Sequence, residues 1–191
     1  MKIATWNIER LKQKKLLNEI ITACDYIQAD ILVLTETDEQ VRLNYRYSFH
    51  TPTPPKIEMP HYEESLRYKP TEHRVSIFTN YKCVREHITF DKYTALCVEL
   101  DTEIGNLLVY GTIIGVLGNR HHSFEEDLIK QVADYKKLSV KESGICICGD
   151  FNCSFSDNYY FTKEGRSLIL QSFAENNISL LKAHCSAICL D

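Results

Sequence analysis

Nine residues late in the chain, Ile145-Cys-Ile-Cys-Gly-Asp-Phe-Asn-Cys153, restrict its fold more than any other stretch. Four apolar residues run into a glycine, an acid follows at once, and an amide stands two places further on. A short apolar run bounded by a turn signal reads as a buried strand. Glycine frees the backbone to turn or to approach a ligand closely. In extended chain Asp150 and Asn152 point the same way, at the mouth of the sheet. A hard oxygen and a neutral amide held on a rigid strand end suit a divalent cation and the phosphate bound to it. By itself the stretch also describes a strand followed by an Asp–Asn turn.

The same design recurs. Lys2–Ile8 alternates as a strand and ends among Asn7, Glu9 and Arg10. From Leu11 the period changes: Leu17, Ile20, Ile21, Cys24 and Ile27 fall on one helical face with lysines opposite. Ala29-Asp30 closes that helix. Ile31–Leu34 is a second buried strand, and it delivers Thr35-Glu36-Thr37. Further along, Arg74–Thr79 and Thr94–Leu100 are strands, Asp101–Gly105 turns, and Asn106–Ile114 returns as the second arm of an antiparallel hairpin. Ser123-Phe-Glu-Glu126 is a capping box, followed by a helical stripe of Phe124, Leu128, Val132, Tyr135 and Leu138. Thr162 caps a last helix, apolar at Leu168, Ile169 and Phe173 and ending at Asn176-Asn177. Ile178–Leu181 and Ala187–Leu190 are short strand candidates. Strand–helix–strand units around a central hairpin predict an α/β fold with mixed sheets.

Residues 50–73 break the pattern. Pro52, Pro54, Pro55, Pro60 and Pro70 lie here with His50, His61 and His73. Proline fixes φ and removes a donor, so no regular element fits. Two readings stay open, a rim around a site and a tolerated surface insertion.

With 191 residues the chain forms one domain, residues 1–191, with a sizeable core. A net charge of -4 argues against coating duplex nucleic acid non-specifically and leaves room for a local basic patch. No apolar run reaches membrane-spanning length and the N-terminus lacks a signal pattern, so a cytoplasmic protein without a membrane span is expected. Eight cysteines contain no C-x-x-C. Cys146 and Cys148 read as small buried apolar residues. Cys185 and Cys189 are the other close pair, but neither a disulfide nor a zinc site is expected, since no four ligands stand at finger-like spacing.

The polar strand ends form a set: Asn7, Glu9, Glu36, Asp150 and Asn152. Two carboxylates ~4 Å apart repel by about 4 kcal/mol at an effective dielectric near 20. A fold that gathers three needs a cation or a proton to relieve them.

At this point the sequence resembles the endonuclease/exonuclease/phosphatase family of DNase I-like and exonuclease III-like enzymes. Met1-Lys-Ile-Ala-Thr-Trp-Asn-Ile8 resembles its opening T-W-N strand. Ala29-Asp-Ile-Leu-Val-Leu-Thr-Glu36 resembles its D-I-x-x-L-Q-E motif, with Thr35 in place of Gln. Arg74–Thr79 and Leu107–Thr112 resemble two of its inner strands, and Gly149-Asp-Phe-Asn152 its G-D-x-N motif. The resemblance implies a four-layer α/β sandwich of two packed mixed β-sheets flanked by helices, and Mg²⁺- or Mn²⁺-dependent hydrolysis of a phosphate ester, nucleic acid among the candidate substrates. It implies Glu36 as the principal metal ligand and Glu9 near the metal. Asn7 and Asn152 would hold the phosphate or the attacking water, and Asp150 would orient or deprotonate that water.

Two departures stand out. Many members carry Tyr or His at the position of Thr112; here Thr112 and Tyr110, with His73 and His121, are the candidates for the substrate side. Asp191 matches the Asp of the family's I-D-H-like strand, and the S-D-H motif that would follow is not in the sequence. The resemblance therefore predicts a chain lacking the last strands, with weak or no activity and an exposed sheet edge open to self-association. The alternative is a non-catalytic nucleotide- or nucleic-acid-binding protein that keeps the fold.

Overall fold

Buried runs of β-branched and aliphatic residues build the centre of the molecule. The computed structural model describes residues 1–12, 16–53, 68–115, 123–140, 143–155 and 163–181. Two four-stranded sheets lie face to face, each mixed. The first is β1 (Ile3–Asn7), β2 (Ile31–Asp38), β4 (Glu72–Thr79) and β3 (Tyr47–His50), in that spatial order; β1 and β2 are parallel and the other pairs antiparallel. The second is β5 (Lys82–His87), β6 (Ala95–Thr102), β7 (Gly105–Ile113) and β8 (Gly144–Asp150), antiparallel except for the parallel β7–β8 pair. The parallel pairs follow from the intervening helices, because a parallel neighbour requires a crossover.

Helix α1 (Leu17–Ile27) covers the outer face of the first sheet; α2 (Ser123–Ser139) and α3 (Lys163–Glu175) cover the second. The resulting four layers are the expected sandwich. Each gap between layers has its own apolar cluster. Ile20 and Cys24 meet Leu32, Leu34 and Phe78 under α1. Ile31, Val33, Val75 and Ile77 face Val98, Leu100, Val109 and Ile113 between the sheets. Leu108 and Tyr110 meet Phe124, Leu128, Tyr135, Ile169 and Phe173 under α2 and α3. Gly111 sets the spacing between the sheets, since a Cβ there would stand 2.7 Å from Cγ1 of Val75.

Several expectations need correction. Ile178–Leu181 forms no strand. Leu168 is partly exposed on α3, and Ile169 and Phe173 carry its buried face. Strands β3 and β5 were not anticipated; β5 is an edge strand whose Lys82, Arg85 and Glu86 stay in water, so its apolar alternation is weak. The capping side chains of Ser123 and Thr162, residues 54–67 and Ala187–Leu190 lie outside the described residues. The six described cysteines, Cys146 and Cys148 among them, are free thiols. Among the described residues no helix is long and apolar enough to cross a membrane.

Candidate active site

β1, β2 and β8 end on the same edge of the sandwich, and their polar termini meet there. Residues Asn7 and Thr35 pair in the parallel β1–β2 register, which brings Asn7 beside the neighbour of Glu36. From the second sheet, Asp150 reaches across: the side-chain amide of Asn7 donates to its Oδ2 at 2.7 Å. Its other oxygen, Oδ1, accepts from the backbone N–H of Asn152 at 2.9 Å. The Asn152 side chain donates in turn to the carbonyl of Ile114 at 3.0 Å, and the Ile114 N–H donates to the Asp150 carbonyl at 2.9 Å. Asp150 is thus gripped from two sheets, with both oxygens already oriented as acceptors.

The backbone is unusual where these residues sit. Glu36 has φ 51° inside β2, between the Thr35–Val75 and Thr37–His73 pairs of the ladder. Asn152 has φ 45°. Glu9, Arg10 and Leu11 follow one another at φ 51°, 57° and 49°, a left-handed turn of three non-glycine residues. Such conformations cost roughly 1–2 kcal/mol per residue and persist only where the surroundings enforce them. The enforcement is visible. Glu9 N–H is held by Asn7 Oδ1 at 2.9 Å, Leu11 is buried, and Arg10 forms a 2.7 Å ion pair with buried Glu72. Gly149 fits for a related reason: at φ 139°, a side chain would overlap the Thr112 carbonyl oxygen.

The candidate site residues separate into two groups. Asn7, Glu36, Asp150 and Asn152 gather at the strand ends, and Glu9 sits beside them with an exposed side chain. Tyr110 and Thr112, expected on the substrate side, face the other way. Both are fully buried under α2, where the Tyr110 hydroxyl donates to Asp134 at 2.9 Å and the Thr112 hydroxyl to Gln131 Oε1. The strand alternates its faces, and these residues fall on the helix side. Burial, together with the neighbouring Tyr135 and Asp134, pushes the Tyr110 phenol far above its ordinary range, so it keeps its proton. Residue His73 is a partly buried neighbour of His50, with ring centroids 4.9 Å apart. Its Nδ1 lies 2.6 Å from the Thr51 carbonyl and its Nε2 3.6 Å from Glu39. Burial, then the adjacent His73, lowers the pKa of His50. His121 and Asp191 lie outside the described residues.

The donor set suits a hard cation. The Glu36 carboxylate is partly exposed and makes no hydrogen bond or ion pair with another described residue. Among the described residues no group of three or more His, Cys, Asp or Glu side chains is placed to hold a metal ion. One free carboxylate among oxygen-bearing side chains is the arrangement Mg²⁺ uses when water and substrate phosphate complete its shell.

Arg74, Asp127 and Gln131 are buried polar residues that no sequence motif marks. A buried arginine in a strand that otherwise reads as apolar was the available signal for the first.

The chain belongs to the endonuclease/exonuclease/phosphatase family, whose description it matches over residues 4–181. No curated protein sequence matches it significantly. Among solved structures, it is similar to the endonuclease domain of TRAS1, a telomere-specific non-LTR retrotransposon, at 12% identity over 95% of this chain and 75% of that one, with a TM-score of 0.64. It is also similar to D. rerio TDP2 complexed with a single-strand DNA product, at 12% identity over 93% of this chain and 65% of that one (TM-score 0.62). A third similar structure is beta toxin from Staphylococcus aureus with bound magnesium ions, at 15% identity over 90% of this chain and 69% of that one (TM-score 0.56). At these identities the likeness establishes the fold.

Proposed function

We propose that the chain is a divalent-cation-dependent hydrolase of phosphate esters. The observation that carries this reading is the Asn7–Asp150 hydrogen bond, which joins the ends of two sheets into one acidic, amide-lined edge. Glu36 would hold Mg²⁺ or Mn²⁺, and the bound ion would supply stabilisation of negative charge on the phosphate. Asp150, fixed by the Asn7 amide and the Asn152 N–H, accepts the proton of a water as its oxygen bonds to phosphorus; the ester P–O bond breaks on the opposite side, and the departing oxygen takes a proton from solvent to leave as the alcohol. The remaining Asn7 N–H would hold the phosphate, and Glu9 would lie near the metal. Nucleic acid is the substrate class to try first, because two structural neighbours are an endonuclease domain and a DNA-bound protein. A cytoplasmic location belongs to the same reading.

The test is turnover of single-stranded DNA, RNA and a generic aryl phosphodiester by the wild-type chain with Mg²⁺ or EDTA, compared with Glu36→Gln. Mg²⁺-dependent product from the wild type and a loss of about 10²-fold or more in Glu36→Gln is expected. Equal turnover in the two proteins removes Glu36 from the metal. Binding of these ligands without any turnover favours the non-catalytic alternative.

A further inference from the structure

Arg74 is an anomaly in β4. It is 3% exposed, in a strand whose next residues are Val75, Ser76 and Ile77, and it lies across the ladder from Glu36. Burying a guanidinium in such a place is costly unless its contacts do specific work. Its Nη2 crosses from the first sheet to the second and donates to the Gly115 carbonyl at 2.8 Å. On the other side of that glycine, the N–H donates to Oδ2 of Asp127 in α2 at 3.2 Å, and Asp127 is itself buried. One residue, Gly115, is thus suspended between an arginine of one sheet and a carboxylate of the helix covering the other. It has φ 63°, and a Cβ on it would stand 2.9 Å from the Phe124 backbone, so it has little room to move.

The residue before it completes the connection. Ile114 receives the Asn152 side chain on its carbonyl and gives its N–H to the Asp150 carbonyl. The strand end carrying Asp150 and Asn152 is therefore anchored on a two-residue segment, Ile114-Gly115, whose own position depends on Arg74 and Asp127. A second observation marks Arg74: its Nε is buried with no hydrogen-bond partner among the described residues, as are the hydroxyls of Thr35 and Thr37 on either side of Glu36. An arginine placed only to stabilise the core would be expected to have its donors satisfied.

We propose that Arg74, together with Asp127, is a positioning residue for the active edge: it holds Ile114-Gly115 so that Asn152 and Asp150 keep their orientation toward Asn7 and Glu36. Its link to catalysis rests on the phosphoesterase reading above. The link to Asn152 geometry does not.

The experiment uses the full chain as wild type, Arg74→Met, Arg74→Lys and Asp127→Asn, with Leu100→Val as a destabilised control in the inter-sheet core. Two quantities are read: kcat and KM on an aryl phosphodiester with Mg²⁺, and NMR hydrogen exchange of the Gly115 amide and the Asn152 side-chain amide. In Arg74→Met, kcat falls about 10- to 100-fold with KM within about threefold, and both amides exchange at least about tenfold faster. Arg74→Lys recovers part of each, because one ammonium can reach the carbonyl but cannot reproduce the planar fork. Leu100→Val lowers the melting temperature and leaves kcat and these amides at wild-type values. Wild-type kcat and wild-type exchange in Arg74→Met overturn the proposal, as does the same pair of changes in Leu100→Val. A wild-type chain without turnover sinks the phosphoesterase reading alone, and the exchange rates still decide what Arg74 does. If Arg74→Met fails to fold, Arg74→Lys and Asp127→Asn carry the same two readouts.

Discussion

The side-chain amide of Asn7 donates to Oδ2 of Asp150 at 2.7 Å, and 143 residues separate the two along the chain. One residue ends the edge strand of the first sheet and the other ends β8 of the second. The bond therefore reports whether the two sheets are in working alignment. Replacing Asn7 by Ala removes a charge-assisted donor at a part-buried position. We expect a loss of about 1 kcal/mol in urea unfolding and a fall in kcat of about 10- to 100-fold. Unchanged kcat in a folded Asn7→Ala protein would separate this bond from catalysis.

Gly149 is required by geometry. Its φ of 139° and its approach to the Thr112 carbonyl leave no volume for a methyl group. Gly149→Ala is expected to cost at least about 2 kcal/mol, because β8 must move away from β7 next to Asp150. Chemical denaturation checks the stability, and turnover should fall by more than the unfolded fraction explains. A Gly149→Ala protein of wild-type stability would contradict this geometry.

Tyr110 serves the core. Tyr110→Phe removes one of the two donors held by Asp134, the other being the Phe90 N–H at 2.8 Å. The expected result is a loss of about 1–2 kcal/mol with kcat within about twofold of wild type. A large kcat defect at unchanged stability would return Tyr110 to the substrate side.

Part of the acid sensitivity should arise at the far end of the second sheet. There Glu99 is buried and accepts from Asn106 at 3.1 Å and Ser143 at 2.9 Å, with His87 Nε2 3.0 Å away. The hydrogen bond with His87, supported by those of Ser143 and Asn106, lowers its pKa against the opposing effect of burial. A carboxylate with a lowered folded pKa contributes stability that is fully present above its unfolded pKa of about 4.3 and is lost as pH falls through the folded value. The wild-type urea midpoint should therefore fall below about pH 4.3 more steeply than that of Glu99→Gln. Parallel curves for the two proteins would rule out this contribution.

Much of the architecture was legible in the sequence, for reasons that differ by element. β2 is a central strand, and its run Ile31–Leu34 is fully buried, so it reads as continuously apolar. α1 carries Ile20 and Cys24 on one face and a helical period follows. β3 and β5 escaped notice because an edge strand buries little and needs no apolar pattern. Ile178–Leu181 looked like a strand from composition, although four apolar-rich residues have no strand neighbour in the described sheets.

Local chemistry determined the strand ends. An apolar run that stops at Gly149-Asp150, or at Thr35-Glu36, or at Asn7, specifies a polar terminus whatever the rest of the chain does, and the order of these motifs was enough to suggest the family. Which termini meet was decided by the tertiary structure, because contacts between residues as distant as Asn7 and Asp150 depend on how two sheets stack. The face that each side chain takes was decided there too. Tyr110 and Thr112 stand on the strand that leads into the segment anchoring the site, yet alternation against α2 turns both hydroxyls into the core. Arg74 shows the reverse: in sequence it opens an ordinary strand, and only the packing of β4 against the end of β7 carries its guanidinium to Gly115.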